Sequence, residues 1–179
     1  MSRQREIAEA VVRQYARGLS KLNLDLIVPI LHPQFRFVYR IAMHEVVIIA
    51  PTERMFDLQE AHGRGYGVKS NIRYIGHLYL TFFEMRKKGI TSISTDFFYF
   101  EIDGEQILCI RLLPPHDRRI VFPMDTDIRE EMRAELPAGE AFLLPRVKHG
   151  MLCKVECYPS MRSFNYHVDG TFKRNAEKE

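Results

Sequence analysis

The stretch ITSISTDFFYFEIDGEQILCIRLL, Ile90 to Leu113, decides how the rest of the chain is read. It is dense in β-branched and aromatic residues, and Asp103-Gly104 lies near its middle. A tight hairpin turn needs positive φ angles, which glycine and aspartate adopt at low cost. The stretch therefore predicts two long antiparallel strands joined at Asp103-Gly104. Phe97, Phe98, Tyr99 and Phe100 put aromatics on both faces of the first strand. Both faces should then meet apolar material: a helix on one side, a partner subunit or a pocket on the other.

Outward toward the N-terminus, Ile7, Val11, Tyr15, Leu19 and Leu22 recur at helical spacing, with Arg13, Gln14 and Arg17 opposite. This predicts an amphipathic helix over Ile7–Leu22. Tyr15 lies in its apolar stripe, so the hydroxyl needs a partner or a polar cavity. Asn23 is a candidate N-cap for a second helix, Leu24 to about Leu31, with Pro29 in its first turns. His32-Pro33 ends it, and His32 reads as a cap. Phe35, Phe37 and Tyr39 alternate with Arg36, Val38 and Arg40, which predicts a strand. The apolar run on to Ala50 is either its continuation past a bend or a second strand, stopped by Pro51.

Thr52 could cap a short helix, Glu53–Ala61. The loop HGRGYG, His62 to Gly67, reads as flexible; its glycines could cradle an anion, but they lack the dinucleotide-binding spacing. Val68 to Met85 fits a helix, and Arg86-Lys87-Lys88-Gly89 is a C-terminal signal. Strand alternation at Ile72, Tyr74, Leu78, Leu80 and Phe82 competes with that reading. Beyond Pro114-Pro115, Ile120–Phe122 reads as a short strand and Asp127 with Glu130 as a capping box. Ala141–Val147, Met151–Tyr158 and Phe164–Val168 read as strands. We expect one domain, residues 1–172, and a disordered tail, 173–179.

The chain has 179 residues, 26 basic and 23 acidic, for a net charge of +3. That balance is too mild to predict nucleic-acid binding. Cys153 and Cys157, four apart in a strand-like run, would lie roughly 13 Å apart on one face, too far to bond. With Cys109 they read as buried thiols of a reducing compartment. No metal site or cofactor is expected. The charged start MSRQREIAEA is unlike a signal peptide, and no run is long enough for a membrane span, so a cytoplasmic protein is expected.

The element order, and the phrasing VVRQYARGLSKLNLDLIVPILHPQFRFVYR from Val11 to Arg40, resembles the NTF2-like superfamily, which includes ketosteroid isomerases, scytalone dehydratase and SnoaL-like polyketide cyclases. The resemblance implies an α+β cone: a curved antiparallel sheet wraps around N-terminal helices, leaves a pocket at its open end, and dimerises through the sheet. The match is good over about forty residues, holds only as element order in the middle, and leaves an insertion at 114–139 unplaced.

Carried over to this chain, the resemblance puts Tyr15, within Val-Val-x-x-Tyr, where the isomerases keep an oxyanion-hole tyrosine. Asp96, within Asp-Phe-Phe-Tyr-Phe, resembles their second oxyanion-hole residue. Tyr39 occupies the position of their general-base carboxylate, and a phenol is a poor base near neutral pH. The usual steroid isomerisation is therefore not expected.

No motif names a reaction. One expectation is a non-catalytic module that binds a small apolar molecule or a protein in the cone, with Phe35, Phe37, Tyr79 and Phe98 lining the pocket. The alternative is a lyase or isomerase in which Tyr15 and Asp96 polarise a carbonyl and His77 or Tyr39 moves a proton. The enzyme reading requires Tyr15, Asp96 and one of His77 or Tyr39 to share one cavity. A third possibility, a sheet used purely for assembly, predicts an interior filled by side chains.

Overall fold

The structure is a computed structural model and describes residues 2–41, 44–47, 63–65, 72–113 and 141–158. It has an α+β architecture in which helices pack on a curved mixed sheet. Helix α1 spans Arg3–Ser20, capped by the Ser2 side chain, which accepts from the Arg5 amide. Asn23 caps the short helix α2, Leu24–Ile27, by accepting from the Asp25 amide at 3.0 Å, as its side-chain chemistry predicts. Pro29 falls in a single 3₁₀ turn, Val28–Ile30, rather than a continued α-helix.

Strand β1 runs Leu31–Ile41 and β2 His44–Val47; the two pair antiparallel, so the apolar run is a second strand rather than a continuation. His32 lies inside β1, and its Nδ1 accepts from the Gln34 amide at 3.0 Å. Helix α3 covers Ile72–Lys87, so helical spacing prevails over the competing alternation. Gly89, with φ at 84°, ends it, and the Ile90 amide returns to the Met85 carbonyl at 2.9 Å.

Strands β3, Ser94–Ile102, and β4, Glu105–Leu113, form the hairpin expected from the opening stretch. Asp103 and Gly104 have φ of 51° and 80°. Strands β5, Ala141–Lys148, and β6, Met151–Tyr158, form another hairpin. The strand order is β2-β1-β6-β5-β4-β3. Pairing is antiparallel throughout except between β1 and β6, which run parallel. That parallel junction joins the N-terminal strand to the C-terminal hairpin and makes the sheet mixed.

The main core lies between the helices and one sheet face. Val12, Tyr15 and Leu19 of α1 and Ile75, Leu78 and Phe82 of α3 pack on Leu108, Ile110, Leu143 and Val155. Ile7, expected in the apolar stripe, is 44% exposed instead. Strand alternation sends the neighbouring side chains to the opposite face. There Cys109, Phe142, Leu144 and Tyr158 form a second buried cluster, with Phe98 and Phe100 against it. No described helix is long and apolar enough to cross a membrane. Expectations for 48–62, for 66–71, for 114–140 and for 159–179, including the tail, lie outside the described residues.

Candidate functional site

Tyr15 sits midway along α1, where the helix bears directly on the sheet. It is fully buried, and its hydroxyl hydrogen-bonds that of Tyr74 on α3. Burial pushes the Tyr15 phenol well above the ordinary tyrosine range; the Tyr74 hydrogen bond partly offsets this. At neutral pH Tyr15 therefore keeps its proton, so its hydroxyl can take part in a hydrogen bond to an oxygen but cannot act as a base.

The pair borders a small cavity between α1, α3 and the sheet. Its walls include Phe37, His77, Leu143 and Cys157 beside the two tyrosines. Phe37 stacks on Tyr74 at 5.0 Å between ring centroids, and Phe35 tilts against the same ring at 4.7 Å. His77 is buried, and its backbone carbonyl accepts from the Thr81 hydroxyl at 2.8 Å. The lining is apolar apart from these rings, hydroxyls and one thiol. Burial likewise raises the Cys157 thiol above its usual range. The cavity measures about 30 Å³, which is room for about one water and far below the ~300 Å³ of a small-molecule site.

Of the residues singled out in the sequence, Tyr15, His77 and Phe37 come together here, and Phe35 joins through Tyr74. Asp96 does not. It lies on the other side of the sheet, because β3 alternates and Asp96 shares a face with Phe98 and Phe100. Its register partner is Arg111, whose guanidinium grips the carboxylate, with Nε at 3.1 Å from both oxygens. An exposed ion pair on a strand pairing satisfies that carboxylate. The expected Tyr15–Asp96 donor pair is therefore not assembled.

Phe98 is on the outer face as well, edge-on to Phe142 at 5.9 Å. Tyr79 is half-buried beneath the Arg64 guanidinium, 5.3 Å from its ring. Tyr39 lies in β1, opposite Val46 and Cys157; its side chain is outside the described residues. Tyr74 is the site residue that sequence reasoning missed, because it fits the strand alternation of its segment as well as the helical spacing. Its helical separation from Leu78 and Phe82 is the signal that places it on the core face.

Among the described residues no cluster of three or more His, Cys, Asp or Glu could hold a metal. All three cysteines are free thiols; Cys109 and Cys157 are buried and Cys153 is partly exposed.

No family model matches the chain, and no curated protein matches it. Among solved structures it is similar to one from Xanthomonas campestris pv. campestris, described as a "putative polyketide cyclase". That match has 10% identity and a TM-score of 0.39, over 89% of this chain and 95% of the other. At that score the likeness bears no weight, and the fold rests on the elements and pairings given above.

Proposed function

We propose that this chain is an NTF2-like binding module, without catalysis, that takes a small apolar molecule carrying one acceptor oxygen into the space between α1, α3 and the sheet. The observation that carries this reading is the buried Tyr15–Tyr74 hydroxyl pair in an otherwise apolar cavity. Buried hydroxyls cost free energy unless they are hydrogen-bonded, and they give an apolar ligand a fixed point of attachment. Among the described residues no carboxylate lines the cavity, and Tyr15 holds its proton firmly, so the tyrosine pair can orient a carbonyl but cannot abstract a proton, which leaves His77 as the one described group there with the chemistry of a base. The lyase or isomerase alternative loses one of its two donors with Asp96 on the far face.

The small volume favours a second reading, in which the tyrosine pair only locks α3 against α1 and the interior has no ligand. Calorimetric titration with acetophenone and cyclohexanone separates the two. Binding predicts saturable uptake in the micromolar to low-millimolar range. Tyr15→Phe should weaken it about three- to tenfold through the lost hydrogen bond. Absence of saturable uptake of either ketone, with the chain folded, would leave the locking role alone.

A further inference from the structure

Strand β3 ends the sheet. Among the described residues its one neighbour is β4, and none of its nine residues, Ser94–Ile102, is fully buried. An edge strand presents unpaired N–H and C=O groups to any other strand, and most proteins blunt such an edge with lysine, proline, a bulge or a short length. Strand β3 uses none of these devices. It reads STDFFYFEI, without lysine or proline. Its pairing with β4 holds one register from Ser94–Leu113 to Ile102–Glu105, so no bulge twists it away.

The turn fixes which backbone groups face outward. In a two-residue hairpin the closing pair, here Ile102 and Glu105, exchanges both of its hydrogen bonds. The even-numbered residues of β3 therefore bond to β4. Thr95, Phe97, Tyr99 and Glu101 direct their N–H and C=O groups away from the sheet. The side chains of these four stand on the helix-facing side. Phe97 lies under the Arg13 guanidinium at 4.8 Å, and Tyr99, 46% exposed, under that of Arg5 at 5.7 Å. Among the described residues no ion pair engages Arg13 or Glu101.

We propose that β3 pairs antiparallel with β3 of a second copy of this chain, about a two-fold axis at Phe98, so that one sheet runs through both subunits. The strand complements itself in that register. Phe98 meets its own copy, Phe97 meets the partner's Tyr99, Thr95 the partner's Glu101, and Asp96 the partner's Phe100. Aromatic pairs thus form on both faces and no acid faces an acid, both favourable for cross-strand neighbours. Moving the axis to Phe97 or Tyr99 would leave strand ends unpaired. Glu101 also becomes the diagonal neighbour of the partner's Phe97, within reach of the partner's Arg13 stacked on that ring. The axis repeats this ion pair, and a two-fold contact closes on itself. One strand pairing is smaller than a standard interface, so the dimer is concentration-dependent. This surface is separate from the tyrosine-lined cavity, and the two readings stand or fall independently.

Sedimentation equilibrium of the whole chain between about 5 and 200 μM tests the pairing and should show a reversible monomer–dimer equilibrium. Tyr99→Lys leaves the β3–β4 bonds in place but sets an ammonium group in the pairing surface, and should weaken association about tenfold. Glu101→Arg places cation beside cation on both sides of the axis and should weaken it about three- to tenfold. Arg13→Glu added to the same chain should restore it. Should Tyr99→Lys not fold, the charge exchange on the exposed Arg13 and Glu101 decides alone. A chain that stays monomeric throughout, a dimer that Tyr99→Lys leaves intact, or a loss in Glu101→Arg that Arg13→Glu does not recover would each overturn the proposal.

Discussion

Gly18 of α1 packs directly against Ile27 of α2. A Cβ there would lie 2.4 Å from Ile27 Cγ1 and 3.2 Å from the Asn23 carbonyl oxygen, and Ile27 is fully buried. Alanine would gain about 1 kcal/mol of helix propensity, but the overlap must be relieved by moving a packed side chain, at about 1–3 kcal/mol. We expect Gly18→Ala to be net destabilising by about 1 kcal/mol in urea titrations. An increase in stability would mean that Ile27 yields freely.

Two other residue-scale contrasts follow from where polar groups sit. Tyr15→Phe removes half of a buried hydroxyl pair and should cost about 1–3 kcal/mol. Asp96→Asn breaks an ion pair whose members are 37% and 45% exposed, and solvent screening holds its cost to at most ~1 kcal/mol. Thermal denaturation of both variants should rank them in that order; the reverse order would contradict the burial argument.

At the scale of elements, turn chemistry was the most legible feature of the sequence. Asp103-Gly104 marks the β3–β4 turn because consecutive positive φ angles exclude most side chains, and this constraint is local. Gly104 has φ at 80°, and a Cβ at that position would meet nothing within 4 Å, so Gly104→Ala isolates backbone strain. We expect a loss of about 1–2 kcal/mol, readable as a lower urea midpoint with unchanged slope. Asn23 and Gly89 were legible as caps for the same local reason. The α1 stripe was legible from Val11 onward but not at Ile7. Periodicity gives the direction of a side chain and not how far the facing surface extends. The parallel β1–β6 pairing was not legible, because it joins residues more than a hundred positions apart and leaves no local signature.

Over the whole molecule, two thiols are held neutral by burial on opposite sides of the sheet. Cys109 has its pKa raised to about 12 by desolvation, with the Arg146 charge pulling slightly the other way; Cys157 moves upward for the first reason alone. Below about pH 9 folded and unfolded chains both keep these protons, and the stability tied to them is fully present. As pH rises through 9 the unfolded chain loses them while the folded chain does not, so stability falls, for Cys109 until about pH 12. Each thiol should contribute up to ~1.4 kcal/mol per pH unit. Urea midpoints should drop between about pH 8 and 10.5, and Cys109→Val should flatten the drop; an unchanged slope would contradict neutral burial.

The candidate site was half legible. Tyr15 and Phe37 sit where their spacing sends them, toward the helix–sheet interior, and His77 is buried beside them. The separation of Asp96 from them follows from strand parity, which the sequence could give only relative to its neighbours. Phe97, packed toward the helices, and Phe98, packed away from them, look alike in a run of aromatics.

By itself the sequence determined the turns, the caps, the two main helices and the long hairpin, because each depends on backbone conformations or side-chain periods within a few residues. Only the tertiary structure decided which sheet face meets the helices, that Tyr74 partners Tyr15, and that the interior is nearly closed. Those outcomes depend on how distant surfaces fill or fail to fill the space between them, and no single segment encodes that.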